Sequence, residues 1–254
     1  MEQTHAESGA ATGGGGCCGG SAKSPGKESE GCCGGSGKQG GGCCKTAREP
    51  LTSMTVEQLK VIETDRLIMR FRRGIESVDR RVFELSERQI DQAFLPDAGV
   101  GRWPVRVLLG HIADADLAAI HRMRRAVAED SPLFTEWDEN AFIDANMYGN
   151  VHEGYAETPE GDHARVMQAL GGPLATIHTL RQWTSQWLLS LEPAALERRG
   201  MHPTLGPLSV RDLVAMYTWH LEHHCGFLVR KLDLMLGRAP AESTPGASAC
   251  GCAR

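Results

Sequence analysis

The chain has 254 residues and a formal net charge of −5, with acids and bases interleaved so that no basic face emerges. That balance excludes a nucleic-acid footprint, which needs clustered cations, and no run of about eighteen apolar residues exists to span a membrane. The N-terminus lacks the basic start and apolar stretch of a secretory signal, so the expected location is the cytoplasm.

Half of the 30 glycines and six of the 9 cysteines fall in residues 1–50, which hold almost no large apolar side chains. Such a segment cannot bury enough surface to offset its ordering entropy and reads as a disordered Gly/Cys-rich tail. The folding unit is then 51–240, with 241–254 a flexible C-terminal tail. Cys17/Cys18, Cys32/Cys33 and Cys43/Cys44 sit in glycine and serine, and Cys250 and Cys252 frame a CxC. Soft thiolates suit Cu(I), Zn(II) or a heavier thiophilic ion, but the spacings match no zinc finger. Metal capture, thiol redox chemistry and an uncommitted tail all remain open readings of these ends.

Within the domain, glycine and proline punctuation separates four helical patterns. The first is expected over 56–86, carried by Leu59, Ile62, Leu67, Ile68 and Phe71. The second, 104–129, repeats apolar residues at Val105, Leu108, Leu109, Ile112, Ala115, Ala119 and Met123. Its cluster "HRMRR" reads as a solvated face. A polar connection over 130–162 is too long for a tight turn, and loops of that length often cover a site. The third pattern carries Leu174, Ile177, Leu180, Trp183, Trp187 and Leu191, with a start blurred by Gly171, Gly172 and Pro173. "MHPTLGPL" suggests a small hairpin. The fourth helix opens at Ser209, where Ser209 and Asp212 can cap one another, and ends near Gly237. The fold class is all-α, an antiparallel four-helix bundle.

The last helix contains "TWHLEHHCGF". Each residue advances about 100°, so with Leu213 at zero, His220 falls at about −20° and His224 at about +20°. Both point into the apolar stripe, while Glu222 falls near 180° and is expected to face water. A single inward histidine is usually a satisfied core residue, but two at i and i+4 reach one ion at metal–nitrogen distances of about 2.0–2.1 Å. A third ligand should come from another helix. His111, at the edge of the second helix's stripe, can turn toward a neighbour, whereas His121 should be solvated. Asp114, one turn past His111, could hold a ligating imidazole or a bound water. Three neutral nitrogens with open positions describe a catalytic site, and zinc, nickel, iron and manganese all accept them. Such an ion activates water or a thiol.

"RWPVRVLLGHIADAD", "SPLFTEWDENAF" and "RRGMHPTLGPLSVRDLVAMYTWHLEHHCGF" resemble, in that order, segments of the DinB superfamily, in its branch of metal-dependent hydrolases related to bacillithiol S-transferases. The resemblance covers about 55–237 and implies a four-helix bundle, often a homodimer, with one divalent metal held by three histidines. Residue by residue, it places the ligands at His111, His220 and His224. Some relatives carry a further histidine where this chain has Phe227. Asp138 and Glu139 match a recurring acidic pair of the branch. Trp103, Tyr217 and Trp219 read as packing residues. The implied function is a metal-dependent enzyme acting on a small-molecule substrate, activating a low-molecular-weight thiol as an S-transferase with help from Asp114. The alternatives are a hydrolase using metal-activated water, and a metal-handling or stress-response protein using the cysteine-rich tails.

Overall fold

The computed structural model describes residues 54–149 and 158–238, all within one compact unit spanning 48–254. The expectations for residues 1–50 and 241–254, including every cysteine except Cys225, lie outside the described residues.

The expected all-α four-helix bundle forms, but its first helix is broken and its neighbouring helices do not all run antiparallel as expected. In place of a continuous 56–86 helix the chain makes α1 (Val56–Lys60), α2 (Thr64–Arg72), two 3-10 turns (Gly74–Ser77 and Arg80–Glu84) and the one-turn α3 (Glu87–Ile90). Local caps beat the apolar period here. The Thr55–Gln58 and Ser86–Gln89 pairs each close a capping box, and the Glu63 carboxylate accepts from the backbone of Asp65 and Arg66. Each cap satisfies orphan donors and so fixes a new helix start.

The second helix, α4, runs Val105–Ala128 with Pro104 as its N-cap. The connection after it contains the short α5 (Glu139–Asp144), capped by the Asp138 side chain. The third helix starts earlier than its apolar stripe suggests: α6 spans Pro159–Leu189 and continues through Pro173. A single turn, α7 (Pro193–Leu196), leads into the antiparallel hairpin of β1 (Arg199–His202) and β2 (Gly206–Ser209), as "MHPTLGPL" suggested. Then α8 (Val210–Leu236) begins at the expected Ser209–Asp212 box and stops before Gly237 at φ 85°.

Contacts fix the helix directions. Lys231 near the end of α8 donates to the carbonyls of Val100 and Gly101 just before α4, and Arg198 before α8 donates to Ala126 O near the end of α4, so α4 and α8 are antiparallel. Thr64 meets Arg211 while Arg70 meets Glu222, so α2 and α8 run parallel. Arg124 lies over the rings of Trp183 and Trp187, joining the C-terminal halves of α4 and α6. Parallel neighbours need a chain that returns the full length of the bundle. The described part of the connection, 130–149, runs back from the end of α4 to Tyr148 beside Gly110 near its start, which is why the connection is long.

The core divides into two apolar clusters. One gathers Leu67, Phe71, Met123, Leu188 and Leu213; the other gathers Leu109, Ile112, Leu170, Ile177, Leu221 and Leu228. Between them along the helices lie the buried polar residues Asp116, Arg181, Thr184 and Thr218. No helix among the described residues is long and apolar enough to cross a membrane.

Candidate metal centre

His111 on α4 and His224 on α8 are buried to 1% and 2% exposure, and His220 one turn before His224 is partly buried. His111 Nε2 lies 3.2 Å from His220 Nε2, and His224 Nε2 lies 3.1 Å from the same atom. Among the described residues these three form a group whose candidate ligand atoms all lie within 4.8 Å of one another. Metal–nitrogen bonds of about 2.0–2.1 Å separate two ligand nitrogens by about 3 Å at near-tetrahedral to right angles. The spacing therefore fits one divalent ion. Burial lowers the basicity of all three rings, bringing His111 down to about 4 and leaving His220 and His224 well below the ordinary range, where each also feels its neighbouring histidines. Neutral imidazoles with lone pairs converging on one point are the donor set that such an ion requires.

Aromatic rings wall the cluster. Trp103 sits 4.7 Å from the His111 ring and stacks at 6.0 Å on His224, while Trp137 from the long connection stacks at 5.1 Å on His111. Trp103, expected only to pack, thus faces the site. Tyr217 meets His220 edge-on at 5.9 Å, and its hydroxyl accepts from Arg122 at 2.6 Å. Arg122 also donates to Thr135 O, so the arginine cluster of α4 is not all solvated: Arg122 is buried at 7%, and the Arg124 guanidinium lies over the rings of Trp183 and Trp187. His121 is exposed, as expected. Glu222 departs from its expectation. Rather than facing water it accepts a bidentate pair from Arg70 at 2.6 and 2.9 Å.

Asp114 does not reach a histidine partner. It faces the Tyr148 phenol, and burial raises its carboxyl above the usual range. Burial, with Asp114 next, also raises the Tyr148 hydroxyl; Glu139 contributes its charge, and its own carboxyl is raised mainly by burial. A side chain at Gly110 would run into the Tyr148 ring, so glycine there lets the connection close against α4 beside His111. A cavity of about 310 Å³ shares Asp114 and Trp137 with this region and continues past Leu117, Phe142 and His121. A larger one of about 650 Å³ is lined by Ser86, Glu87, Arg88, Asp91 and Asp162, and neither cavity is lined by His111, His220 or His224.

The DinB superfamily model matches residues 48–228, which takes in every element that supplies a histidine. The chain belongs to the DinB superfamily. Relatives of this DinB protein include one from Oceanobacillus iheyensis named "Putative metal-dependent hydrolase", 27% identical over 56% of this chain and 70% of its own length. One of the same name from Bacillus mycoides is 28% identical over 57% and 71%. Among solved structures, YfiT from Bacillus subtilis, described as a probable metal-dependent hydrolase with an unusual four-helix bundle topology, aligns with a TM-score of 0.53 at 21% identity. It covers 74% of this chain and 92% of its own. The mixed helix directions of this DinB protein agree with a bundle of unusual topology.

Sequence reasoning missed the Trp137 stack, the Gly110–Tyr148 contact and the Arg122–Tyr217 pair. A glycine inside a helical stripe was the one available signal for the second of these.

Proposed function

We propose that this DinB protein is a metal-dependent enzyme in which His111, His220 and His224 hold one divalent ion and a low-molecular-weight thiol is the nucleophile that attacks an electrophilic substrate. The convergence of three Nε2 atoms from two helices carries the reading. Bound there, zinc, nickel, iron or manganese supplies Lewis acidity and lowers the pKa of a coordinated thiol or water. A thiol surrenders its proton readily, whereas water activation generally recruits a nearby base. Among the described residues the converging group contains no carboxylate, and Asp114 is turned to Tyr148, which supports a thiol.

The chain's own residues exclude water and orient the substrate. Trp103 and Trp137 cover the imidazoles with apolar surface, and the buried Trp137 indole N–H, which has no acceptor among the described residues, is available to a polar atom of the substrate. The adjoining cavity, with Leu117 and Phe142 on its wall, accepts the apolar part of a small molecule.

The names of the relatives favour a second reading, hydrolysis by activated water. Assaying the metal-loaded protein with an activated aryl ester or epoxide, with and without a panel of thiols, separates the two. Thiol transfer predicts thiol consumption that falls at least about a hundredfold in His220→Ala. Turnover indifferent to added thiol selects hydrolysis, and thiol consumption unaffected by His220→Ala removes the transferase reading.

A further inference from the structure

Arg181 is the largest fully buried side chain among the described residues, at 0% exposure, and its partner Asp116 is at 1%. Nε and Nη2 of Arg181 donate to the two Asp116 oxygens at 2.6 and 2.7 Å. Nη2 also donates to Tyr217 O at 2.8 Å, and Nη1 to Phe71 O at 3.1 Å. The guanidinium lies 4.4 Å from the Phe71 ring centre. A Cβ on Gly74 would sit 2.6 Å from Nη1, so that glycine leaves room for the fork. One planar group on α6 therefore ties α2, α4 and α8 together.

These anchors stand close to the histidines. Asp116 follows His111 on α4 by about 7.5 Å of helix rise, and Tyr217 precedes His220 on α8 by about 4.5 Å. We propose that Arg181 and Asp116 are positioning residues for the histidine cluster. Their fork fixes the register of α4 along α8 and thereby the spacing of His111 from His220 and His224. The inference rests on reading the three histidines as a cation site.

The physics favours register over plain stability. Desolvating two charges offsets most of their attraction, and well-packed apolar replacements often equal or exceed a buried ion pair; specifying register is the best-attested use of such groups. The Leu, Ile and Ala surfaces on either side tolerate shifted packing. A fork with four hydrogen bonds does not, because its donors are rigid and directional.

The test uses the full chain titrated with Co(II), whose visible spectrum reports stoichiometry, affinity and coordination geometry, beside thermal unfolding of the metal-free protein. In the double variant Arg181→Met, Asp116→Leu, we expect unfolding close to or above the wild-type temperature but Co(II) affinity about ten- to a hundredfold weaker, with an altered spectrum. Wild-type affinity and spectrum in that variant overturn the proposal. Should the double variant fail to fold, Gly74→Ala keeps both charges and displaces the guanidinium. Weakened Co(II) binding at unchanged helix content supports the register role, and unchanged binding overturns it. A wild-type chain that takes up no Co(II) removes the metal reading itself, and the positioning role with it; binding that is equal in all the proteins removes only the positioning role.

Discussion

A histidine in water titrates near about 6.5, whereas burial brings His111 down to about 4 and keeps His220 and His224 well below the ordinary value. In the metal-free protein the unfolded chain therefore takes up these protons first. Stability is complete above the unfolded pKa and is lost as pH falls through the window from about 6.5 to about 4; His111 alone accounts for about 3 kcal/mol across it. Urea unfolding at a series of pH values should show midpoints dropping from pH 7 toward pH 5. A flat or rising midpoint contradicts the buried neutral state. A bound cation opposes the same protons for the same nitrogens, so acid should release it over an overlapping range.

The long connection gives the site its cover. It carries Trp137 onto His111 and seats Phe142 edge-on against Trp137 at 5.5 Å. Tyr148 closes the far end against Gly110. Gly110→Ala should push the Tyr148 ring away and cost about 1–3 kcal/mol through overpacking. Thermal unfolding measures that cost. The same variant should raise KM more than it lowers kcat, because the cover shapes the cavity while the histidines stay on their helices. An unchanged melting temperature would mean that Tyr148 does not pack where the structure puts it.

At the scale of the whole molecule, two apolar clusters flank a polar slice among the described residues. A chain lacking residues 1–50 should keep its helix content by circular dichroism and bind about one equivalent of divalent ion, since the ligands sit on α4 and α8. If the cysteine pairs capture thiophilic ions, elemental analysis of the full chain will find more than that, and the surplus will vanish with the truncation. Loss of the first equivalent on truncation would place the metal site elsewhere. A dimer, expected from the family resemblance, is measured by the same preparation in sedimentation.

The apolar period, the Ser209–Asp212 box, the hairpin and the inward angles of His220 and His224 were legible in the sequence because each depends on residues a few positions apart. His111 needed the second helix's stripe and the resemblance together. The early helix break was also locally encoded, in the Thr55, Glu63 and Ser86 caps, which prevail over an apolar run that by itself fits a longer helix. Tertiary structure alone decided the parallel pairing of α4 with α6, the Arg70–Glu222 pair, the burial of Arg122 and the Arg181–Asp116 fork. A helical period states which face turns inward; it is silent on which helix that face meets and at what register. Polar groups become buried only when distant segments close over them, and those long-range contacts leave no mark on the local pattern.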